Sequence, residues 1–380
     1  MKNKTASLLS IALTVLLFVA APFGLILFAD PFQIYHKSFF EKAGYSKMQV
    51  YQHAGWINRL LADPGQGYQS IVVGSSVMAN YTQALFDEKF PQWGKCLNLS
   101  INGSVPKVQE PIAKYALSRN PGIKKVLWDI HYFYALDIKD NQQFPQYLYN
   151  ETVMDDVGYF NITNLLTSVE FLKGKFDGFS YGIEDNGPWY DVLFNSGRFD
   201  VYKTVESREE RLPALKAAPL LALKNPGKIT DFQYPEVELH LLNIVMPMCN
   251  TDTEFYIMFS PTTRYFYASA ADWRYIYSQL YMRRYILERT GACKNVKVFA
   301  FDDVDWIVAD LTNYADNFHY KTAVNAYIVD SIAADKHRLT PDNIEQYEKN
   351  FITAVDGYRK QFEDELAAMK KGPVKKPAKR

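Results

Sequence analysis

Five short apolar runs recur along the chain, at 70–73, 96–99, 125–130, 254–259 and 296–301, and polar or small residues follow each. Segments with apolar positions at helical spacing separate the first three, at 82–90 and 108–118. A third such segment, 272–290, lies between the fourth and fifth runs, and 321–334 follows the last. Runs of this length suit strands buried on both faces. Their alternation with helices predicts an α/β fold, a three-layer α/β/α domain with a five-stranded parallel sheet.

The alternation breaks between about 135 and 237, where the chain is aromatic, polar and punctuated, as in Phe144-Pro145-Gln146-Tyr147 and Asp185-Asn186-Gly187-Pro188. A stretch of that length is too long for a bare loop. It reads as an insertion of helices and loops over the sheet edge. Its tyrosines and tryptophan suit either a sugar platform or the core of a packed subdomain. Before the first strand, 44–63 places Met48, Tyr51, Trp56, Ile57, Leu60 and Leu61 at helical spacing. After the last helix, 341–370 reads as a closing helix.

Near the start, 7–29 carries no charge. Roughly twenty apolar residues can span a bilayer as a helix, and Lys2 and Lys4 before them predict a cytoplasmic N-terminus. A cleaved signal peptide ending near Ala20-Ala21 is the competing reading. The apolar run continues through Phe28, which favours an uncleaved anchor. Five segments result: an anchor at 1–29, a connecting region at 30–68, the sheet domain with its insertion at 69–336, a C-terminal helix at 337–370, and a basic disordered tail at 371–380.

Charge changes the picture little. The formal net charge is zero, but six basic residues and no acid fall in 370–380, so the preceding chain carries a net −6. An acidic body argues against nucleic acid as a partner. The three cysteines show no zinc or redox spacing. Cys96 reads as a small apolar residue of a strand. Cys249 and Cys293 are either a disulfide of an extracytoplasmic domain or two free thiols.

Candidate chemistry clusters where strands end. The first strand stops at Gly74-Ser75-Ser76, which delivers a serine hydroxyl to the carboxyl edge of the sheet. Asp316 and His319 follow the fifth strand and are three apart, which brings them together on one face of a helical turn. A carboxylate so placed holds the imidazole tautomer, and the imidazole can take a proton from a serine and return it to a leaving group. The second strand ends in Asn98-Leu99-Ser100-Ile101-Asn102-Gly103-Ser104. A glycine there lets backbone approach a developing oxyanion, with the Ser76 amide at a helix start as a second donor. Asp302, Asp303 and Asp305 lack calcium-loop spacing and read as a solvated loop. The tyrosines at 265, 267, 275, 277, 281 and 285 read as packing, because the last four fall at helical spacing.

Taken in order, these blocks resemble the SGNH hydrolase superfamily, over roughly 69–336 with the insertion excepted. The resemblance implies Ser76, not Ser75, as nucleophile, His319 as base and Asp316 as its partner. It implies Gly103 and the Ser76 amide as oxyanion donors. The family's asparagine after the third strand is missing: the chain there reads Trp128-Asp129-Ile130-His131. An ionised Asp129 could not donate a hydrogen bond; His131, Asn98, Asn102 and Asn80 are the substitutes available. Gly-Ser-Ser, the Asp30-Pro31 pair after the anchor and His319-Tyr320 are similar to a membrane-anchored subgroup. That subgroup contains the alginate O-acetylation proteins and the D-alanyl transfer protein of teichoic-acid synthesis.

The resemblance implies a serine-dependent O-acyl transferase or esterase, acetyl the expected group, held outside the bacterial cytoplasmic membrane by residues 7–29. Its acceptor would be a cell-surface or secreted polysaccharide, and its partner a membrane-bound O-acyltransferase. The chemistry requires no metal and no organic cofactor. The alternative is a non-catalytic glycan-binding or scaffold protein of a polysaccharide modification or export complex.

Overall fold

A computed structural model describes residues 7, 10–11, 13–32, 34–36, 67–101, 103–130, 145–150, 152, 154–174, 235–268 and 273–371. The expected helix at 44–63, most of the insertion and the tail beyond residue 371 lie outside the described residues.

The N-terminal apolar segment ends in a π-turn, Leu16–Ala20, continued by helix α1, Ala21–Ala29. Then come β1 (Tyr68–Val73), α2 (Gln83–Lys89), β2 (Lys95–Asn98), α3 (Pro106–Arg119) and β3 (Lys125–Asp129). Within the insertion lies α4 (Ile162–Leu172), and α5 (Pro235–Val245) begins at its end. The sheet resumes with β4 (Glu254–Phe259), α6 (Arg264–Ala268), α7 (Trp273–Thr290) and β5 (Val296–Ala300). Helices α8 (Asp305–Val308) and α9 (Thr322–Ala333), strand β6 (Arg338–Leu339) and helix α10 (Ile344–Lys370) complete the described chain.

The sheet has six strands in the order β2-β1-β3-β4-β5-β6. The first five are parallel, while β6 pairs antiparallel with β5. The expected five-stranded sheet therefore gains an antiparallel edge. Two residues, Arg338 and Leu339, carry no readable period-2 pattern, so nothing in the sequence marks them as a strand. The strands are buried on both faces. Val72, Leu127, Tyr256, Met258 and Phe299 join one cluster with Phe86 of α2 and Val324, Ile328 and Ile332 of α9. On the other face, Trp128 donates to Gln109 of α3 at 2.9 Å, and the Arg283 guanidinium of α7 lies over the Phe259 ring.

The chain divides into two compact units. The sheet unit comprises Tyr68–Glu110, Gly122–Lys139 and Glu184–Arg380. Within it Cys249 and Cys293 form a disulfide, which resolves the two readings of these thiols. Asp302 is not the solvated residue expected. It is buried against Arg283 and accepts hydrogen bonds from the Thr262 amide at 3.2 Å and the Tyr267 hydroxyl at 3.1 Å. Asp303 and Asp305 face His337 and Arg264 instead. Tyr265, Tyr267 and Tyr277 are buried, as the packing reading expects.

The other unit comprises Met1–Gly67, Pro111–Pro121 and Asp140–Ile183. In it α1 packs against α4. Asp30, just past α1, has a left-handed backbone, and its buried carboxylate accepts from the amides of Ile34, Tyr35 and His36. Asp30-Pro31 thus ends the helix by collecting the amides of the next turn. Among the described residues no single helix is both long and apolar enough to cross a membrane.

Candidate active site

Strand order reverses between β1 and β3, and α/β sheets of this order hold their ligands there, outside the carboxyl ends of the strands. The residues following β1 are Gly74, Ser75 and Ser76. Ser75 is extended, and Ser76–Met78 form one 3-10 turn rather than the helix start expected. A single turn has little macrodipole, so any anion stabilisation by the Ser76 amide rests on its N–H alone.

The turn separates the two serines. Ser75 is buried and its hydroxyl has no hydrogen-bond partner. Ser76 is half-buried, with its Oγ 2.9 Å from His319 Nε2. On the other side of the ring, His319 Nδ1 lies 2.7 Å from Asp316 Oδ2. An ionised carboxylate can only accept, which puts the proton on Nδ1 and leaves the Nε2 lone pair to accept from Ser76. Burial raises the Asp316 pKa. The hydrogen bond and charge of His319 and the amides of His319 and Phe318 outweigh it, so the carboxyl titrates below its usual range. The three predicted residues therefore stand in one hydrogen-bonded line, in the order that a nucleophile, base and orienter would take, across 243 positions of sequence between Ser76 and His319.

The pairing of Asp316 with His319 does not use a helix. Residues 315–319 form a tight bend closed by an antiparallel bridge between Tyr314 and Tyr320. Asp316 Oδ1 accepts from the amides of Phe318 and His319, both at 2.9 Å. The loop after β4 holds this bend from outside. Thr263 donates its amide to the Asn317 carbonyl at 3.0 Å and its hydroxyl to Asn317 Oδ1 at 2.9 Å. The Tyr320 hydroxyl meets those of Ser260 at 3.1 Å and Tyr81 at 3.4 Å. Ser260, Thr263 and Asn317 were not singled out by the sequence. The polar run Ser260-Pro261-Thr262-Thr263 at a strand's carboxyl end was the available signal.

The loop after β2 braces the Gly74–Ser76 turn. The Gly74 carbonyl accepts from the Ile101 amide at 3.1 Å and the Ser104 hydroxyl at 2.8 Å. Gly103 has φ +69°, a left-handed turn that favours glycine. Asn98 is not an oxyanion donor. Its side-chain amide donates to the carbonyls of Met78 and Tyr81, at 2.8 and 3.1 Å, which pins the chain after Ser76. Asn80 is buried, and its Oδ1 has no partner. Asn102 and His131 lie outside the described residues.

Asp129 ends β3 beneath this turn. A Cβ on Gly74 would stand 3.1 Å from the Asp129 Cβ. The carboxyl is fully buried, and neither oxygen makes a well-formed hydrogen bond. Burial, opposed by the nearby Ser260 hydroxyl and amide and reinforced by the Asp302 charge, pushes its pKa up to about 7. The bar on donation holds only for the ionised form: raised in this way, the carboxyl keeps its proton further up the pH scale, and a neutral carboxyl can donate.

Among the described residues no cluster of histidine, cysteine, aspartate or glutamate could hold a metal ion. Comparison of the chain with protein-family models, with curated proteins and with solved structures finds no match in any of the three.

Proposed function

We propose that the protein is a serine-dependent O-acyl transferase or esterase of the SGNH type, built on a three-layer α/β/α domain. One observation carries this reading: Ser76 Oγ, His319 Nε2, His319 Nδ1 and Asp316 Oδ2 form one hydrogen-bonded relay. In the proposed reaction Ser76 Oγ attacks the acyl carbonyl while His319 takes its proton. The tetrahedral intermediate expels the donor's alkoxide, protonated by His319, leaving an acyl ester on Ser76. An acceptor hydroxyl, of a polysaccharide or of water, then gives its proton to His319 and attacks the ester, and Ser76 recovers its proton. No electron changes hands and no cofactor takes part.

The domain is proposed to work outside the cytoplasmic membrane, held there by residues 7–29. The uncharged N-terminal run supports this, as does the Cys249–Cys293 disulfide, because such bonds persist in oxidising compartments. The acyl group is proposed to be acetyl, and the acceptor a cell-surface or secreted polysaccharide, in concert with a membrane-bound O-acyltransferase. The full chain in detergent should release nitrophenol from nitrophenyl acetate, and Ser76→Ala should abolish that release. Equal rates for the two proteins would contradict the enzyme reading. A glycan-binding scaffold is the second reading, favoured by the commitment of both Asn98 amide protons to structural carbonyls.

A further inference from the structure

Helix α4 departs from the usual amphipathic arrangement of a helix in water. In α4, Asn164, Ser168 and Phe171 share one face, and that face is buried. Ile162, Leu166 and Val169 fall on the opposite face by helical spacing, with Leu165 on the flank. Ile162 is 68% and Leu166 59% exposed. Just before the helix, Met154 is 88% and Val157 62% exposed. The buried set of the same unit includes the Asp30 carboxylate and the Tyr159 hydroxyl that donates to it. In water an amphipathic helix turns its apolar stripe inward and its amides outward. Here amide and hydroxyl point in and aliphatic side chains point out.

Three hydroxyls of the unit are satisfied within their own helices. Thr14 donates to the Ser10 carbonyl, Thr167 to that of Thr163 and Ser168 to that of Asn164, each one turn back along its own helix. Asn164 donates to the Tyr159 carbonyl. This is how polar side chains are accommodated where the surroundings cannot hydrogen-bond. No charged residue occurs from Ile162 to Val169; Asp155, Asp156 and Glu170 flank this stretch, at the depth where headgroups and water meet an interfacial helix. The N-terminal helical segment carries exposed apolar residues of its own. Helix α1 packs on α4, Phe23 stacks on Phe160 at 4.6 Å between ring centroids, and Phe18, Leu27 and Phe28 are exposed beside them.

We propose that α4, with Met154 and Val157, is a lipid-contact surface. Its Ile162–Leu166–Val169 face would lie in the headgroup–acyl boundary of the bilayer next to the N-terminal helix, as interfacial helices do. The proposal rests on the reading of 7–29 as a membrane anchor. It adds that the insertion is held on the membrane by its own helix.

The test uses the full chain, with Cys96→Ala, in vesicles of phosphatidylethanolamine and phosphatidylglycerol. A polarity-sensitive fluorophore is attached at Leu166→Cys, at Ile162→Cys, at Phe18→Cys in the N-terminal helix, and at Asp364→Cys as an aqueous reference. Quenching by acyl-chain nitroxide lipids is compared with quenching by aqueous iodide. The proposal predicts that the Leu166→Cys and Ile162→Cys probes follow Phe18→Cys: blue-shifted, quenched by nitroxide and shielded from iodide. Iodide access at both α4 positions with Phe18→Cys in lipid overturns the proposal and leaves the anchor reading intact. Lipid quenching on α4 without it at Phe18→Cys removes the anchor reading and the proposed position beside an anchor while the lipid contact of α4 stands, and its absence at all three removes both. Shielding of α4 in native membranes but not in vesicles assigns the face to a protein partner and also overturns the proposal.

Discussion

Gly74 and Asp129 meet under the nucleophile turn, so closely that a methyl group on residue 74 would press on the Asp129 Cβ at 3.1 Å and overlap the buried Met78 side chain. The glycine is there for space. Gly74→Ala should move the Ser76 turn by a fraction of an ångström to an ångström. Displacement on that scale lowers turnover by about 100-fold, and overpacking costs about 1–3 kcal/mol of stability. Adding Met78→Ala should restore part of the loss. Esterase rates and urea melts of the single and double variants check this.

The buried Asp129 gives stability a pH dependence with a definite sign. Its folded pKa of about 7 lies above the ordinary 3.8. Between those values the fold keeps a proton that the unfolded chain has released, so stability falls as pH rises through the interval. Its contribution is complete below that interval and lost above about 7, an effect on the order of a few kcal/mol. Asp316 acts in the opposite sense: its depressed pKa contributes stability that is present above the usual carboxylate range and lost in acid. Denaturant titrations across this range should show a falling limb in the natural protein and a flatter one in Asp129→Asn.

Asp316→Asn should lower turnover by about 10³–10⁴-fold. A neutral amide leaves the His319 ring free to take the wrong tautomer and offers no charge to the imidazolium. The amides of Phe318 and His319 still find an acceptor in the Asn carbonyl, so the melting temperature should change little. A collapse in melting temperature would make Asp316 primarily a loop-forming residue.

Reduction of the Cys249–Cys293 bond should destabilise the sheet unit. The cysteines are 44 residues apart, and loop-closure entropy for that span corresponds to about 4 kcal/mol. Thermal melts with and without reductant, and of Cys249→Ser with Cys293→Ser, measure it.

Much of this was legible in the chain. The strands announced themselves because both of their faces are buried, which leaves short uninterrupted apolar runs such as 254–259. Ser76 stood out as a hydroxyl delivered by the first strand to the sheet's carboxyl edge, and Asp316 and His319 as a carboxylate and an imidazole at a spacing that lets them pair. What was not legible depends on contacts far apart in sequence. Asn98 looked like a ligand donor until Met78 and Tyr81 claimed its protons. Asp302 looked solvated because its counter-charge, Arg283, sits in a helix nineteen positions earlier. The Asp316–His319 spacing fits a helical turn and a bend equally well, and the Tyr314–Tyr320 bridge decides for the bend. The inversion of α4 escaped because an amphipathic pattern shows two faces without saying which one points inward.

The central claim is that Ser76, activated by His319, is the nucleophile. A fluorophosphonate reacts only with an activated serine, and the labelled peptide can be read by mass spectrometry. The account predicts one adduct on Ser76, retained in Ser75→Ala, lost in Ser76→Ala and strongly slowed in His319→Ala. No adduct on the natural protein, or an adduct that survives Ser76→Ala, would contradict it.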